Sequence, residues 1–223
     1  MDRNLFLSAV LKFSAGAASL WLLLFLPAGS SAYWQGWQFL GILLIPMFLA
    51  GLVMMKWNPA LLRSRLRAKE NRKDQSLVIR LSGLMFLAGF LLAGFTWRFQ
   101  WMVLPGWVSL LPAAVFLAAY GVYGEVLREN TYLSRTIQVQ ENQQVVDTGL
   151  YGIVRHPMYA VTLVLFLAMP LVLGSFWSFL VFLFYPVIIV KRIRGEEKFL
   201  EKELPGYIAY EKKVPWRLIP YLW

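Results

Sequence analysis

The chain has 223 residues, of which 59% are hydrophobic and 15% charged. Its charged residues are gathered in blocks between long apolar runs, a pattern that excludes an ordinary soluble core and indicates an integral membrane protein. The absence of cysteine excludes disulfides, thiolate metal sites and cysteine nucleophiles. One histidine, with no acidic cluster inside the apolar runs, argues against any bound metal ion such as zinc or di-iron. The net charge of +10 lies mostly beside the apolar runs, which favours anionic membrane lipids, and not nucleic acid, as partners.

A membrane span needs about 20 mostly apolar residues. The last apolar stretch is too long for one helix, and Pro170 and Gly174 near its middle predict a tight hairpin of two helices. The sequence therefore predicts an all-α polytopic membrane bundle of about six spans. These are Val10–Leu26, Trp37–Met55, Ile79–Trp97, Trp107–Leu127, Pro157–Leu173 and Phe176–Val190.

The distribution of Lys and Arg predicts the orientation of these spans, because cytoplasmic loops collect basic residues. With both termini inside, Arg98 is the only basic residue on the outer side. Five spans with a re-entrant final segment would place the C-terminal basic block on the outer side instead. The basic run Lys56–Asp74 is interpreted as a topology signal on the cytoplasmic surface, with a specific docking surface as the alternative.

The first two spans are predicted to be scaffold. Residues 1–78 form a two-span N-terminal part with a basic linker, and residues 79–223 form the functional core. Tyr33, Trp34 and Trp37 are expected to anchor the helix ends at the membrane interface. The glycines of spans three and four are expected to let helices approach closely; they are Gly83, Gly89, Gly94, Gly121 and Gly124.

Two polar regions emerge on the predicted inner side. One runs from Arg128 into GLYGIVRHPMY (149–159), and shows short alternation around Ile137 to Gln140; the other is the amphipathic tail from Lys191. If the tail continues the last helix, Arg192 and Glu196 share a face, while Glu197 turns to the neighbouring side. An Arg guanidinium can hold a carboxylate or phosphate with two hydrogen bonds, so the region suits a ligand with charges of both signs.

Each of these residues also has a purely structural interpretation. His156 before Pro157 could simply begin a helix, and Arg192 with Glu196 could be an ordinary surface pair. The two tail tyrosines, Tyr207 and Tyr210, are expected to anchor the tail helix at the membrane interface.

The joint pattern is more specific than its parts. GLY at 149–151, RHPMY at 155–159 and RIRGEEKFL at 192–200, followed by GYIAY and VPW, resembles the membrane isoprenylcysteine carboxyl methyltransferase family and its phospholipid methyltransferase relatives. The resemblance covers roughly residues 130–216. Leu150 and Val161 depart from the common pattern, where proline and glycine are frequent, and no functional side chain is lost there.

The resemblance implies a helical membrane methyltransferase that uses S-adenosylmethionine, with a cytoplasmic loop and tail forming the cofactor site. The residues implied to bind the cofactor are Gln140, Gln143, Gln144, Val145, Val146, Tyr151, His156, Pro157, Met158, Tyr159 and Glu196. Arg192 is implied to bind the acceptor carboxylate, and Glu197 would orient Glu196. If the acceptor is an amine, Glu197 or a chain of water molecules would take up its proton. Arg192 and Glu197 are therefore the predicted catalytic pair.

The expected reaction is carboxyl O-methylation of a lipophilic small molecule or prenylated acceptor at the boundary between membrane and cytoplasm. A carboxylate needs no general base, so alignment and exclusion of water would be the main tasks of the protein. Three alternatives stay open: N-methylation of a phospholipid amine, an NADPH-dependent reductase of the sterol type, and a lipid-binding membrane protein without catalysis.

Overall fold

The computed structural model describes residues 3–66, 73–133 and 139–223. Parts of the predicted basic run and of the alternating stretch near Ile137 lie outside these ranges. The helices of the described chain are α1 (Arg3–Ala28), α2 (Trp34–Trp57), α3 (Pro59–Leu66), α4 (Lys73–Phe99), α5 (Leu110–Glu129), α6 (Pro157–Val172), α7 (Phe176–Phe182), α8 (Tyr185–Glu203) and α9 (Tyr207–Lys213). Short 3-10 helices cover Gly106–Ser109 and Gly149–Gly152.

The structure confirms the predicted helical membrane bundle, with five helical segments in its described part that are long and apolar enough to cross a membrane. They are Arg3–Ala28, Trp34–Trp57, Ser76–Phe99, Gly106–Glu129 and Phe176–Glu203, the last formed by α7 and α8 together. The sixth predicted span, α6, has only 16 residues. At a rise of about 1.5 Å per residue, α6 is shorter than a hydrocarbon core of about 30 Å.

The predicted C-terminal hairpin is confirmed. Gly174 joins α6 to α7 with φ +68°, a conformation that glycine adopts at little cost. The Ser175 side chain then caps α7 by accepting a hydrogen bond from the backbone NH of Ser178 at 3.1 Å. A turn at residues 183–184 separates α7 from α8, just before Pro186, and this interruption was not predicted from the sequence.

The hairpin turn is held by residues from the loops before α2 and α5. Tyr33 Oη donates to the carbonyl oxygen of Leu173 at 2.6 Å. The backbone NH of Leu104 donates to the carbonyl oxygen of Gly174 at 2.9 Å. Tyr33 is buried, so its predicted role as an interface anchor is wrong, whereas Trp34 and Trp37 are exposed. These contacts place the α1–α2 loop, the α4–α5 loop and the α6–α7 turn at one end of the bundle.

One hydrophobic cluster extends through the bundle and includes side chains from both predicted parts of the chain, such as Phe39 of α2 and Phe182 of α7. The glycine prediction is correct for two positions: a Cβ on Gly94 would lie 2.6 Å from the carbonyl oxygen of Leu24, and Gly89 lies against the Phe182 ring. The packing role is wrong for Gly83, Gly121 and Gly124, where a Cβ would meet no atom within 4 Å. A domain boundary near residue 78 stays a prediction.

Antiparallel alternation brings the remaining helix ends together at the other end of the bundle, which we call the site end. It contains the N-terminal ends of α1, α4 and α6 and the C-terminal ends of α2, α5 and α8. This end is covered by the described residues of the loop after α5 (130–133 and 139–156) and by the tail after α8 (204–223). Both chemically dense sequence regions therefore meet there.

Candidate active site at the covered end of the bundle

A buried carboxylate holds the loop, α8 and the tail together. Glu197 Oε1 accepts hydrogen bonds from Arg155 Nε at 2.9 Å and lies 3.2 Å from His156 Nε2. Glu197 Oε2 accepts from Arg217 Nε at 2.6 Å. Both carboxylate oxygens thus have basic partners, and the side chain is 3% exposed. This arrangement fixes the direction of the His156 ring.

The tail is also bound to the loop through backbone groups. The backbone NH groups of Arg155 and His156 donate to the carbonyl oxygens of Trp216 and Arg217 at 2.8 and 2.9 Å. Arg155 Nη1 donates to the carbonyl oxygens of Val214 and Pro215 at 3.0 and 3.1 Å. The segment before α6 is therefore fixed by the tail that follows α9.

His156 occupies the N-cap position of α6 but makes no side-chain capping bond there. Its imidazole instead lies against Glu197 and stacks on the Tyr159 ring, with centroids 5.6 Å apart. Pro157 at the first helical position supplies the local start signal, because its missing NH is not needed there. Because Pro157 begins the helix, the His156 side chain is not needed for capping and can contact Glu197.

Tyr159 connects the two charged residues that the sequence placed on one face of α8. Its hydroxyl donates to Glu196 Oε2 at 2.5 Å and accepts from Arg192 Nε at 3.3 Å. Because α8 continues unbroken to Glu203, Arg192 and Glu196 lie one turn apart and both reach this hydroxyl. An exposed surface pair is therefore not the arrangement that the structure shows.

A polar pocket opens beside Glu196, between α6, α8, α9 and the loop. It encloses about 780 Å³ of empty space, open mouth included. It is lined by Asn130, Tyr132, Leu133, Gln143, Gln144, Val145, Val146, Tyr151, Arg155, His156, Met158, Tyr159, Glu196, Leu200, Leu204, Tyr207 and Tyr210.

Two tyrosine hydroxyls in this pocket are buried without a hydrogen-bond partner in the described chain: those of Tyr151 and Tyr207. Burial raises the pKa of Tyr207, and the nearby Glu197 and Glu196 charges raise it further. Burial likewise raises the pKa of Tyr151, while the nearby Asn130 side chain opposes that rise without forming a hydrogen bond of normal geometry. Both hydroxyls stay protonated and can donate to a ligand.

A second, much larger cavity lies on the membrane side of Tyr159. This apolar cleft is enclosed by α1 to α6 and α8, and holds about 3580 Å³ of empty space, open surroundings included. Gly121 and Gly124 line this cleft, which explains why a Cβ at either position would meet no atom within 4 Å. Arg192 lines the cleft, and Met158 and Tyr159 line both cavities. These two residues therefore form the wall between a polar pocket and an apolar cleft.

The structure brings most of the predicted cofactor residues together. Nine line the polar pocket: Gln143, Gln144, Val145, Val146, Tyr151, His156, Met158, Tyr159 and Glu196. Gln140 and Pro157 do not. Gln140 instead holds the loop, donating from Nε2 to the carbonyl oxygen of Tyr132 at 2.7 Å, and Pro157 is buried at the start of α6. Glu197 lines neither cavity.

Several residues of this site were not predicted from the sequence. Tyr207 and Tyr210 were expected at the membrane interface, and that expectation is wrong, because both are buried against the pocket. Their spacing of three along a helix was the available signal, since it places both on one face. Arg155 and Arg217 gave no such signal, because their common partner Glu197 is far from both in sequence.

Among the residues described, no group of three or more His, Cys, Asp or Glu side chains could hold a metal ion. The polar groups of the pocket suit an organic ligand instead. Unpartnered tyrosine hydroxyls, side-chain amides and one carboxylate are groups that bind the polar parts of such a ligand.

One comparison with known proteins matches a segment that contains much of this pocket. Residues 110–205 match the phospholipid methyltransferase family. The predicted resemblance is therefore confirmed for this segment, which extends from α5 through α8 and leaves out α9 and the final residues. Because the loop, Tyr159 and Glu196 all lie within it, the family segment contains the core of the polar pocket.

Two curated relatives are named for a different activity. A segment of 91 residues, 40% of this chain, is 33% identical to part of Delta(14)-sterol reductase TM7SF2 of Mus musculus. An alignment of 135 residues, which covers 54% of this chain, gives 23% identity to Delta(14)-sterol reductase of Methylotuvimicrobium alcaliphilum. The matched segments are 22% and 32% of the relatives' own lengths, so the chain corresponds to a minor part of each.

Proposed function

We propose that this protein is a membrane methyltransferase that uses S-adenosylmethionine to methylate a lipid-like or prenylated acceptor. The observation that carries the proposal is the shared wall at Met158 and Tyr159, with a polar pocket on one side and an apolar cleft on the other. A water-soluble donor and an apolar acceptor could reach this wall from opposite sides. The family match at residues 110–205 supports the same reaction class.

In this proposal the cofactor supplies the methyl group, and the protein aligns the two reactants and excludes water. Glu196 and the hydroxyls of Tyr151 and Tyr207 bind polar groups of the cofactor. The side chains of Gln143 and Gln144 and the backbone near Val145 and Val146 complete that side of the pocket.

Arg192 is the proposed acceptor-binding residue. It lines the cleft and donates to Tyr159, so an anionic acceptor group at Arg192 would lie next to the wall between the cavities. A cation favours a carboxylate over an ammonium group, which supports carboxyl O-methylation as the proposed reaction. Glu197 is given a positioning role, because its carboxylate contacts the side chains of Arg155, His156 and Arg217.

The positive-inside rule further supports a cytoplasmic location for both termini and for the site. The cofactor would enter from the cytoplasm, and the acceptor would enter laterally from the membrane.

Binding measurements test the cofactor. Purified full-length protein in detergent is titrated calorimetrically with S-adenosylmethionine, its demethylated product and NADPH. We expect the first two to bind, and both Glu196→Gln and His156→Ala to weaken that binding. Glu201→Gln is the matched control, since Glu201 is an exposed carboxylate on the same helix. Failure of the folded wild type to bind S-adenosylmethionine would overturn the proposal.

A second set of assays identifies the acceptor atom. Transfer of labelled methyl to a prenylated cysteine with a free carboxylate, lost in Arg192→Gln, supports carboxyl O-methylation. Transfer to phosphatidylethanolamine alone would replace it with amine N-methylation. The specific alternative is a reductase, which the two sterol reductase relatives favour. Saturable binding of NADPH, without S-adenosylmethionine, would select that alternative.

A further inference from the structure

The charged side chains that line the apolar cleft are all basic among the residues described: Lys12, Arg65 and Arg192. They come from three different helices, α1, α3 and α8, at the site end of the bundle. The other residues of the cleft are largely apolar or aromatic. The cleft thus combines a long apolar surface with positive charge at one end, which complements an anionic amphiphile.

The position of Arg65 is fixed by the short helix α3. Asn58 starts this helix, because its side-chain oxygen accepts from the backbone NH of Leu61 at 3.0 Å. Leu62 is buried against the cleft wall, and Arg65 follows three residues later on the same face. The local sequence therefore orients both residues towards the cleft.

The Arg65 guanidinium is held by Tyr123 of α5. Arg65 Nη2 donates to Tyr123 Oη, and the guanidinium carbon lies 5.6 Å from the centroid of the Tyr123 ring. A guanidinium has five NH donors, so this bond leaves capacity for an anion. A fixed, planar guanidinium suits the oxygens of a phosphate group, which it can bind with two parallel hydrogen bonds.

Lys12 adds a second cation beside Arg65. Its Nζ donates to the carbonyl oxygen of Leu66, the residue next to Arg65, at 2.8 Å. Tyr123, Tyr185 and Arg192 all line this cleft. The Arg65–Tyr123 pair therefore lines the same cleft as the proposed acceptor residue.

We propose that Arg65 and Lys12 form a phosphate-binding site at the mouth of the cleft. Its occupant is a membrane phospholipid of net negative headgroup charge, whose acyl chains lie along the apolar wall. This site does not depend on which reaction the polar pocket performs. It would give α1 and α3 a role in recognising a ligand, although the sequence assigned this part of the chain to scaffold.

Lipid binding to detergent-purified full-length protein tests the proposal, with fluorescent phosphatidylglycerol as the probe. We expect Arg65→Gln to weaken its binding about tenfold or more, as for loss of a charged hydrogen-bond donor. A smaller loss is expected for Lys12→Gln, because one of the three Lys12 ammonium donors is already used by the Leu66 carbonyl oxygen. Arg63→Gln is the matched control: Arg63 lies on the same helix, is exposed and does not line the cleft.

The ligand series separates the contributions of headgroup and chains. Diacylglycerol, which has acyl chains but no phosphate, should bind more weakly than phosphatidylglycerol to wild type and equally to Arg65→Gln. Inorganic phosphate at millimolar concentration should not displace the lipid. Arg65→Lys keeps the positive charge and serves as the second variant if Arg65→Gln fails to fold. It should retain part of the affinity for phosphatidylglycerol. Equal phosphatidylglycerol affinity in Arg65→Gln, Arg65→Lys and Arg63→Gln would overturn the proposal.

Discussion

Replacing Glu197 by glutamine removes one negative charge from a buried cluster while keeping the size of the side chain. In the native protein its two oxygens accept from Arg155 and Arg217 and contact His156. The Arg155 and Glu197 side chains are only 5% and 3% exposed. Glu197→Gln therefore leaves the Arg155 guanidinium buried without its carboxylate partner.

Breaking a buried ion pair by removing one partner costs about 3–5 kcal/mol of folding free energy. Arg155 retains its bonds to the carbonyl oxygens of Val214 and Pro215, and Glu211 lies 3.5 Å away. We therefore expect the lower end of that range, about 3 kcal/mol. For a protein of this size, such a loss lowers the unfolding midpoint by about 6–12 °C.

Thermal unfolding in detergent, followed by intrinsic tryptophan fluorescence, measures this shift. The matched control is Glu125→Gln. The Glu125–Arg128 contact of 2.6 Å is as short as the Glu197–Arg217 contact, but the Glu125 and Arg128 side chains are 48% and 72% exposed. Exposed pairs contribute little, so the control should unfold near the wild-type temperature. Equal shifts in the two variants would show that burial of Glu197 does not stabilise the fold.

Three further substitutions test the two cavities. Tyr207→Phe removes a hydroxyl that has no partner in the described chain, so it should not lower the unfolding midpoint. It should weaken S-adenosylmethionine binding about threefold to tenfold. The control Tyr210→Phe loses a 2.8 Å hydrogen bond to the carbonyl oxygen of Tyr151 and should lower the unfolding midpoint. Tyr159→Phe should weaken cofactor binding and raise the acceptor KM, each by about tenfold or more, as calorimetry and steady-state kinetics would detect. Gly121→Leu should raise the acceptor KM by filling the cleft while cofactor affinity is unchanged, whereas Gly83→Leu, outside the cleft, should leave both unchanged.

The local features of the site could be predicted because they depend on neighbours in sequence. A spacing of four residues on one helix predicted that Arg192 and Glu196 share a face, and the structure has both in contact with Tyr159. The joint motif from RHPMY to RIRGEEKFL predicted a resemblance to membrane methyltransferases, and the phospholipid methyltransferase match at residues 110–205 confirms that resemblance for this segment. The role of each site residue stays a prediction.

The sequence by itself determined the membrane class, the helical bundle and the C-terminal hairpin, because span length, hydrophobicity and the Pro170 and Gly174 signals are local properties of the chain. Only the tertiary structure decided which charges become partners. Glu197 meets Arg155 and Arg217, and Tyr207 turns into the pocket, because the tail folds back over the helix ends. Contacts between residues so far apart in sequence depend on how the helices pack, and hydrophobic periodicity does not encode them.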